Sequence, residues 1–421
     1  MTLNMPEIAI QPTRQAETWV ASEAARCLSC YDPPCQRACP ASIPIPEFIR
    51  SVRTGNLRYA ADLIREANPL AAVCGTVCPE EIFCQTKCTR AQIDSPLKIR
   101  ELHSLATLFE RHSANIEHEE ERQRVAVIGA GPAGLSCAVK LKTAGVNSVI
   151  FESREIAGGV PRNSIPKFRL PDSAVDVDLN YVANIGIDII TDTVIKNPAD
   201  LLYEFDAVYV ATGLPRCRKL GIPGEDTSGV VPSLFFLDEA RAGRIASLDG
   251  RKVVVIGGGN VSLDVASAAA HLGAAEVRLL YRRGPLEMKV WRSELDAASA
   301  RGVAIDYLTA PKALVSDGDC LTGVKCVKTE LCDETDSSGR RIPREVPDSE
   351  FVVAADIAIV AIGMTSGYLR DVTINPDLST SIPGIFVGGD LARGEGTIVE
   401  AVADGKKAAH KILEYVAQVG K

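Results

Sequence analysis

The sequence predicts a small α-helical, cysteine-rich domain followed by two doubly wound α/β domains. Three observations predict it. Eight of the thirteen cysteines fall between Cys27 and Cys88. A short apolar strand, a glycine turn and a helix follow one another at RVAVIGAGPAGLSCAVKLKTAG, with VNSVIFES as a second strand. The same unit returns about 128 residues later as RKVVVIGGGNVSLDVASAAAHLGAAEVRLLYRR. Two strand–helix–strand units in one chain imply two parallel-sheet domains with helices on their faces.

The bulk composition agrees. A chain of 421 residues has room for about three domains. With 46% hydrophobic and 24% charged residues it has ample core for a globular protein. A net charge of −8 and the lack of a basic stripe argue against a nucleic-acid partner. No run of about 18 uninterrupted apolar residues is present, so no membrane span is expected. The opening MTLNMPEIAIQPTRQAETWV lacks a signal core and cleavage site. A leaderless, cysteine-rich chain is expected in a reducing compartment, the cytoplasm, where thiols ligate metal rather than pair.

Within the cysteine-rich segment, residues 1–119, PIPEFIRSVRTGNLRYAADLIREANPL predicts two short helices separated near Thr54-Gly55-Asn56. Tyr59, Leu63 and Ile64 lie at helical spacing in the second of them. Pro96 starts a further helical stretch in which Leu102, Leu105 and Leu108 are expected to form one face. The polar run His112 to Arg124 is read as a linker or exposed helix end.

The cysteines form two runs, Cys27-x2-Cys30-x4-Cys35-x3-Cys39-Pro40 and Cys74-x3-Cys78-Pro79-x4-Cys84-x3-Cys88. Thiolates at such short spacings, each run with a Cys-Pro step, are what iron–sulfur clusters need. Zinc is the rival, but four-cysteine zinc sites use CxxC pairs and only Cys27/Cys30 has that spacing. The five remaining cysteines, Cys137, Cys217, Cys320, Cys326 and Cys332, contain no CxxC, which argues against a disulfide reductase. Clusters ahead of two nucleotide sites make an electron conduit, an oxidoreductase in which a hydride enters and single electrons leave.

Gly129-x-Gly131-x-x-Gly134 follows its strand and opens a helix, with Pro132 and Ala133 in the turn. The glycines permit a tight turn and close approach of a pyrophosphate, whose charge the helix N-terminus favours. Glu152 ends the second strand, 23 residues after Gly129, where a carboxylate can accept from a ribose. Gly159, just beyond, belongs to the same candidate dinucleotide site. In the second unit Gly257-Gly258-Gly259-Asn260, followed by Val261, joins strand to helix, but the next strand ends Tyr281-Arg282-Arg283 without an acid. A carboxylate would repel the 2′-phosphate of NADP, whereas guanidinium groups can clamp it. NADPH is therefore favoured over NADH, with Lys289 as a further positive charge.

The two fingerprints and the Gly388-Gly389-Asp390 tail resemble the two-dinucleotide-binding flavoproteins. In that family the NADP domain is inserted into the FAD domain. The resemblance implies FAD domain parts at 120–220 and 363–421 and an NADP domain at 221–362. It implies Gly389 and Asp390 at the FAD ribityl and pyrophosphate groups, and Thr397 and Ile398 at a helix end facing the flavin, where a helix dipole favours negative charge. CLSCYDPPCQRACP, NPLAAVCGTVCPEEIFCQTKC and IPKFRLP narrow the match. Over essentially the whole chain they resemble the amino-terminal part of dihydropyrimidine dehydrogenase and, more distantly, the small subunit of NADPH-dependent glutamate synthase.

That resemblance implies Arg169 near FAD and two [4Fe-4S] clusters. One would take Cys27, Cys30, Cys35 and Cys88, the other Cys39, Cys78, Cys84 and a fourth, non-cysteine ligand. The pyrimidine family uses a glutamine seven residues after a proline, and seven residues after Pro96 this chain has His103. His103 is the expected ligand, with Cys74 or water as the alternative. The implied function is an electron-input subunit passing electrons from NADPH through FAD and the clusters to an FMN-containing catalytic subunit that reduces uracil or thymine in pyrimidine catabolism. The alternative acceptor is glutamate synthase or another complex. No proton-transferring residue is expected in this chain.

Overall fold

The computed structural model describes residues 14–110, 124–369 and 372–419. Residues 112–123 of the run read as a linker lie outside these. The chain divides into two compact units, Met1–Ser113 and Ala114–Lys421.

The first unit is helical, with helices Arg14–Ala25, Pro34–Arg37, Ile45–Arg53, Leu57–Ala67, Ala71–Val77 and Ile99–Thr107. The break expected near Thr54-Gly55-Asn56 is present. Gly55 adopts φ 77°, and the Asn56 side chain caps the next helix by accepting from the Tyr59 amide at 3.3 Å. The buried faces keep Ile64 and Leu102 of the expected rows and otherwise differ from them. On Leu57–Ala67 the core side is Ala60, Ala61 and Ile64, while Tyr59 is exposed and donates its hydroxyl to Glu47. On Ile99–Thr107 the core side is Ile99, Leu102, His103 and Ala106, while Leu108 lies beyond the helix and is exposed. A strict three-residue step such as 102, 105, 108 drifts around a helix of 3.6 residues per turn, whereas 99, 102, 103, 106 stays on one side.

The second unit contains two five-stranded parallel sheets of the same order. In the first, strands run Ile385–Val387, Ala207–Val210, Arg124–Ile128, Asn147–Phe151, Asp188–Ile190. In the second they run Val230–Pro232, Ile357–Ala361, Lys252–Gly257, Glu276–Tyr281, Ala304–Tyr307. All strands of the second sheet lie in sequence between Val210 and Ile385, so the second domain is inserted in the first. The chain leaves and re-enters through a two-stranded antiparallel ribbon pairing Arg216–Cys217 with Met364–Thr365.

Alternation along the central strand Lys252–Gly257 shows how the second sheet is covered. Val253 and Val255 pack with Leu263 and Ala266 of the helix Asn260–His271. Val254 and Ile256 pack on the other face with Leu314, Val324 and Val353. Those residues belong to an antiparallel layer of strands Thr309–Asp317, Cys320–Thr335, Arg341–Glu345 and Phe351–Ala354. Among the described residues no helix is long and apolar enough to cross a membrane.

Candidate functional site

In the first unit Cys35 and Cys74 lie on the short helices Pro34–Arg37 and Ala71–Val77, and the other six cysteines sit in loops and turns, held by local backbone bonds such as Cys39 N to Gln36 O and Cys88 N to Gln85 O. They act on one another in two sets. Burial, together with Cys88, Cys27 and Cys30, pushes the Cys35 thiol up to about 12. Burial likewise raises Cys27, with Cys30 and Cys88 beside it. The second set is Cys78, raised by burial and then by Cys74, Cys84 and Cys39, and Cys84, raised by burial and then by Cys39, Glu80 and Cys35. Each set draws on both runs, and Cys84 also feels Cys35, so the two adjoin. Of the eight, Cys74 and Cys84 are buried and the rest half-buried; crowded thiols withdrawn from water resist ionisation until a cation stabilises the thiolates. A donor set of eight thiols in two adjoining fours fits iron–sulfur clusters. Among the described residues no three His, Cys, Asp or Glu side chains converge on one ion-sized point.

His103 is wholly buried on the helix Ile99–Thr107, and burial lowers it to about 4. Its Nε2 lies 2.8 Å from the Ala71 carbonyl, and its ring stands edge-on to Phe48. Cys74, rather than His103, is the side chain acting most strongly on Cys78.

The first glycine turn is closed by the chain itself. A Cβ on Gly129 would lie 2.6 Å from the Ala211 carbonyl oxygen, and one on Gly134 would lie 1.9 Å from Gly129 O. A Cβ on Gly131 would meet only Gly159 Cα, at 3.9 Å, so that position faces open space. Pro132 and Ala133 begin the helix Pro132–Thr143, Pro132 filling the first-turn place where a missing N–H costs nothing. Glu152 is buried. Its two oxygens accept from Ala130 N at 2.8 Å and Arg154 N at 2.9 Å, pinning the turn to the second strand. Gly159 has φ 59° and backs directly on Gly131.

The returning chain completes this site. Gly389 (φ 63°) donates its N–H to Asp404 at 3.1 Å. Burial pushes Asp390 up to about 6, with Arg393 opposing. Thr397 caps the helix Ile398–Val419: its amide and hydroxyl both donate to Glu400 at 2.8 Å, and its Oγ1 accepts from Glu400 N at 3.3 Å, a reciprocal capping box. Gly405 on this helix packs against the helix of the glycine turn so closely that a Cβ would lie 2.3 Å from Ala133 O. Thr212 was not singled out from the sequence. It follows the strand Ala207–Val210 at the point where Ala211 closes on Gly129, and its hydroxyl is buried with no protein partner. Its signal was the Ala-x-Gly ending of DAVYVATG.

In the second turn a Cβ on Gly257 would lie 2.2 Å from Ala361 O, and one on Gly258 would lie 2.2 Å from the Tyr281 ring, while nothing lies within 4 Å of one on Gly259. Asn260 opens the helix and accepts from Trp291 N at 3.0 Å, and Val261 packs on the core. The third glycine place is taken by Ser262, fully buried, whose hydroxyl donates to Gly259 O at 2.5 Å. Arg282 has an exposed side and no carboxylate partner among the described residues, whereas Arg283 is buried against Asp336 and Lys289 donates to Ser338 O.

Arg169 is engaged by the second domain: its guanidinium donates to Asp264, on the helix Asn260–His271, and to Glu294, on the helix Arg292–Ala300. Its neighbour Phe168 lies between the His271 ring, centroid distance 5.0 Å, and the Arg301 guanidinium, 4.6 Å from the ring centre. Buried Arg241 donates to the Arg162, Ile165 and Leu170 carbonyls and to Asp172. The segment Ser164 to Asp172 is thus seated on the inserted domain.

Two family models match. Residues 6–115 match dihydropyrimidine dehydrogenase domain II, 4Fe-4S cluster, and residues 123–405 match pyridine nucleotide-disulphide oxidoreductase. The chain is 36% identical over 434 residues to the NADP(+)-dependent formate dehydrogenase subunit beta of Moorella thermoacetica, covering 91% of this chain but 60% of that one. It is 31% identical over 436 residues to the glutamate synthase [NADPH] small chain of Escherichia coli strain K12, covering 95% of this chain and 92% of that one. It is 34% identical over 408 residues to the NAD-dependent dihydropyrimidine dehydrogenase subunit PreT of the same strain, covering 94% and 93%. In fold, it is similar to Mycobacterium tuberculosis FprA in complex with NADPH, with a TM-score of 0.60 at 19% identity over 71% of this chain and 85% of that one.

Proposed function

We propose, from the premise that this chain belongs to the pyridine nucleotide-disulphide oxidoreductase family and carries a 4Fe-4S domain ahead of it, that it is the electron-input subunit of a dihydropyrimidine dehydrogenase-type complex. The observation that carries this is the pairing of two adjoining sets of four thiols in one unit with two glycine turns, each open at its middle glycine, in the other. When bound, the cofactors supply hydride transfer from NADPH to FAD and single-electron transfer through two [4Fe-4S] clusters to an FMN-containing partner subunit that reduces uracil or thymine.

The chain's own residues bind, orient and neutralise. Residues 120–220 and 363–421 hold FAD, with Gly129, Gly131 and Gly134 shaping the turn, Glu152 bracing it, and Asp390 and the capped helix at Ile398 closing on the flavin side. Residues 221–362 hold NADP at Gly258, Gly259, Asn260 and Val261. Residues 1–119 hold the clusters. Cys27, Cys30, Cys35 and Cys88 form one ligand set; Cys39, Cys78 and Cys84 form the second, which we complete with Cys74. Its place beside Cys78 supports Cys74; the Ala71 carbonyl engages His103 Nε2 and leaves Nδ1 as the ring's ligand atom, so the histidine is the alternative that the following test decides. The expected outcome is that His103→Ala leaves the cluster EPR spectrum unchanged while Cys74→Ser alters it. An altered spectrum in His103→Ala alone would restore the histidine.

NADPH over NADH is supported by Arg282 and by the absence of an acid after Tyr281. A glutamate synthase role is the second reading, supported by the end-to-end match to the glutamate synthase small chain. The deciding experiment is anaerobic NADPH oxidation by the complex isolated with its native partner. Turnover with uracil or thymine supports the pyrimidine acceptor; turnover only with glutamine plus 2-oxoglutarate moves the chain to the other branch.

A further inference from the structure

Arg282 and Arg283 are neighbours in sequence, yet the fold treats them differently. Arg283 is 4% exposed. Its Nε donates to Arg341 O at 2.9 Å and its Nη2 to Asp336 at 2.6 Å. Lys289 donates to Ser338 O at 2.9 Å. All three acceptors lie on or beside the hairpin tip joining strands Cys320–Thr335 and Arg341–Glu345. That tip is drawn tight by Asp336, whose Oδ1 accepts from Ser338 N at 2.9 Å and Arg340 N at 3.2 Å. It is fastened again where Arg341 donates to buried Glu287 at 2.6 Å. Two of the three cations that the sequence assigns to a phosphate are therefore occupied in holding this hairpin.

The hairpin delivers a different cation. Arg340 donates its Nε to Ser338 Oγ at 2.8 Å, and its nearest carboxylate, on Asp336, is 3.8 Å away. Arg282, just past the C-terminal end of the strand Glu276–Tyr281, is lowered first by partial burial and then by the like charges of Arg283 and Arg340, with Asp336 opposing. Guanidinium groups brought together with one carboxylate among them are poorly compensated until an anion enters, and a phosphate monoester can accept from two at once. The end of the strand after the turn helix is where a doubly wound domain meets the ribose 2′ position of its nucleotide.

We propose that Arg340 is a further specificity-determining residue for the 2′-phosphate of NADPH, acting beside Arg282, with Arg283 and Lys289 as positioning residues that hold the hairpin. This rests on the NADP assignment made above. The test uses the full-length, flavin-loaded chain with ferricyanide as electron acceptor. KM and kcat are measured for NADPH and NADH in the wild type, Arg282→Ala, Arg340→Ala and Arg340→Lys. Losing charge-assisted hydrogen bonds is expected to raise the NADPH KM of Arg340→Ala about tenfold. Its kcat and its KM for NADH stay within about twofold, and Arg340→Lys recovers part of the loss. Inhibition by 2′,5′-ADP weakens in parallel, while inhibition by 5′-AMP does not. An unchanged NADPH KM in Arg340→Ala beside a raised one in Arg282→Ala overturns the role of Arg340 and leaves the NADP assignment standing. A wild type that prefers NADH, or no effect in either variant, overturns both. Equal losses with NADPH and NADH in Arg340→Ala assign the residue to the fold alone and also overturn the proposal.

Discussion

The two glycine turns stand on matching frames and solve the same steric problem differently. At the first position both are closed by a carbonyl of the neighbouring strand end, Ala211 for Gly129 and Ala361 for Gly257. At the middle position both are open, at Gly131 and Gly259. They part at the third. In the first turn Gly134 abuts Gly129 O, whereas in the second Ser262 fits and the close approach moves to Gly258 against the Tyr281 ring. The first turn is also braced by Glu152, while the second has arginines where an acid would stand. The edge strands differ too: Ile385–Val387 leads to Gly389 and half-buried Asp390, Val230–Pro232 to buried Ser233. The lesson is that the chain's own carbonyls dictate the first glycine, open ligand space accompanies the second, and the third depends on what the adjoining strand contributes.

The largest expected effect separates the third positions. Gly134→Ala must displace Gly129 O and is expected to cost about 3 kcal/mol and to strip flavin from the purified protein. Ser262→Ala loses one hydrogen bond, about 1 kcal/mol, and keeps its flavin. Flavin content and thermal denaturation measure both, and equal losses would break the contrast. Next is the brace: Glu152→Gln sets an amide N–H₂ against a backbone N–H, at a cost of about 2 kcal/mol read in thermal denaturation of the flavin-free chain. A variant as stable as wild type would show the brace to be dispensable.

The last effect concerns Asp390 and, unlike the others, vanishes at low pH. Burial raises its carboxyl from the ordinary carboxylate range to about 6. The folded flavin-free chain therefore holds this proton more tightly than the unfolded chain. The resulting stability is complete below about pH 4 and is lost as pH rises through about 6. Flavin-free Asp390→Asn is expected to melt with wild type near pH 4 and above it near pH 7. A gap independent of pH would remove the titration from the account.

Both strand–turn–helix units were legible because each is local: an apolar strand, glycines and a helix within about 20 residues. The insertion followed from resemblance and is visible in the pairing of Ile385–Val387 with Ala207–Val210. Helix faces were less legible, because a row such as Leu102, Leu105, Leu108 satisfies the eye but not the helical repeat. Least legible were the partners of charged side chains. Arg169 meets Asp264 and Glu294, and Arg283 meets Asp336, across stretches of chain that leave no trace in local spacing. Thr212 and Arg340 were missed for the same reason: their surroundings are made by other segments.

The seat of Ser164 to Asp172 has a mechanical consequence. The helix Asn260–His271, whose first residue faces the second turn, is gripped at Asp264 by Arg169 and at His271 by Phe168. These points are seven residues apart, about 10 Å along the axis. A rod held at two separated points cannot swivel about either one. The two contacts therefore resist a swivel of that helix, and with it of the second turn, against the segment that carries Phe168 and Arg169.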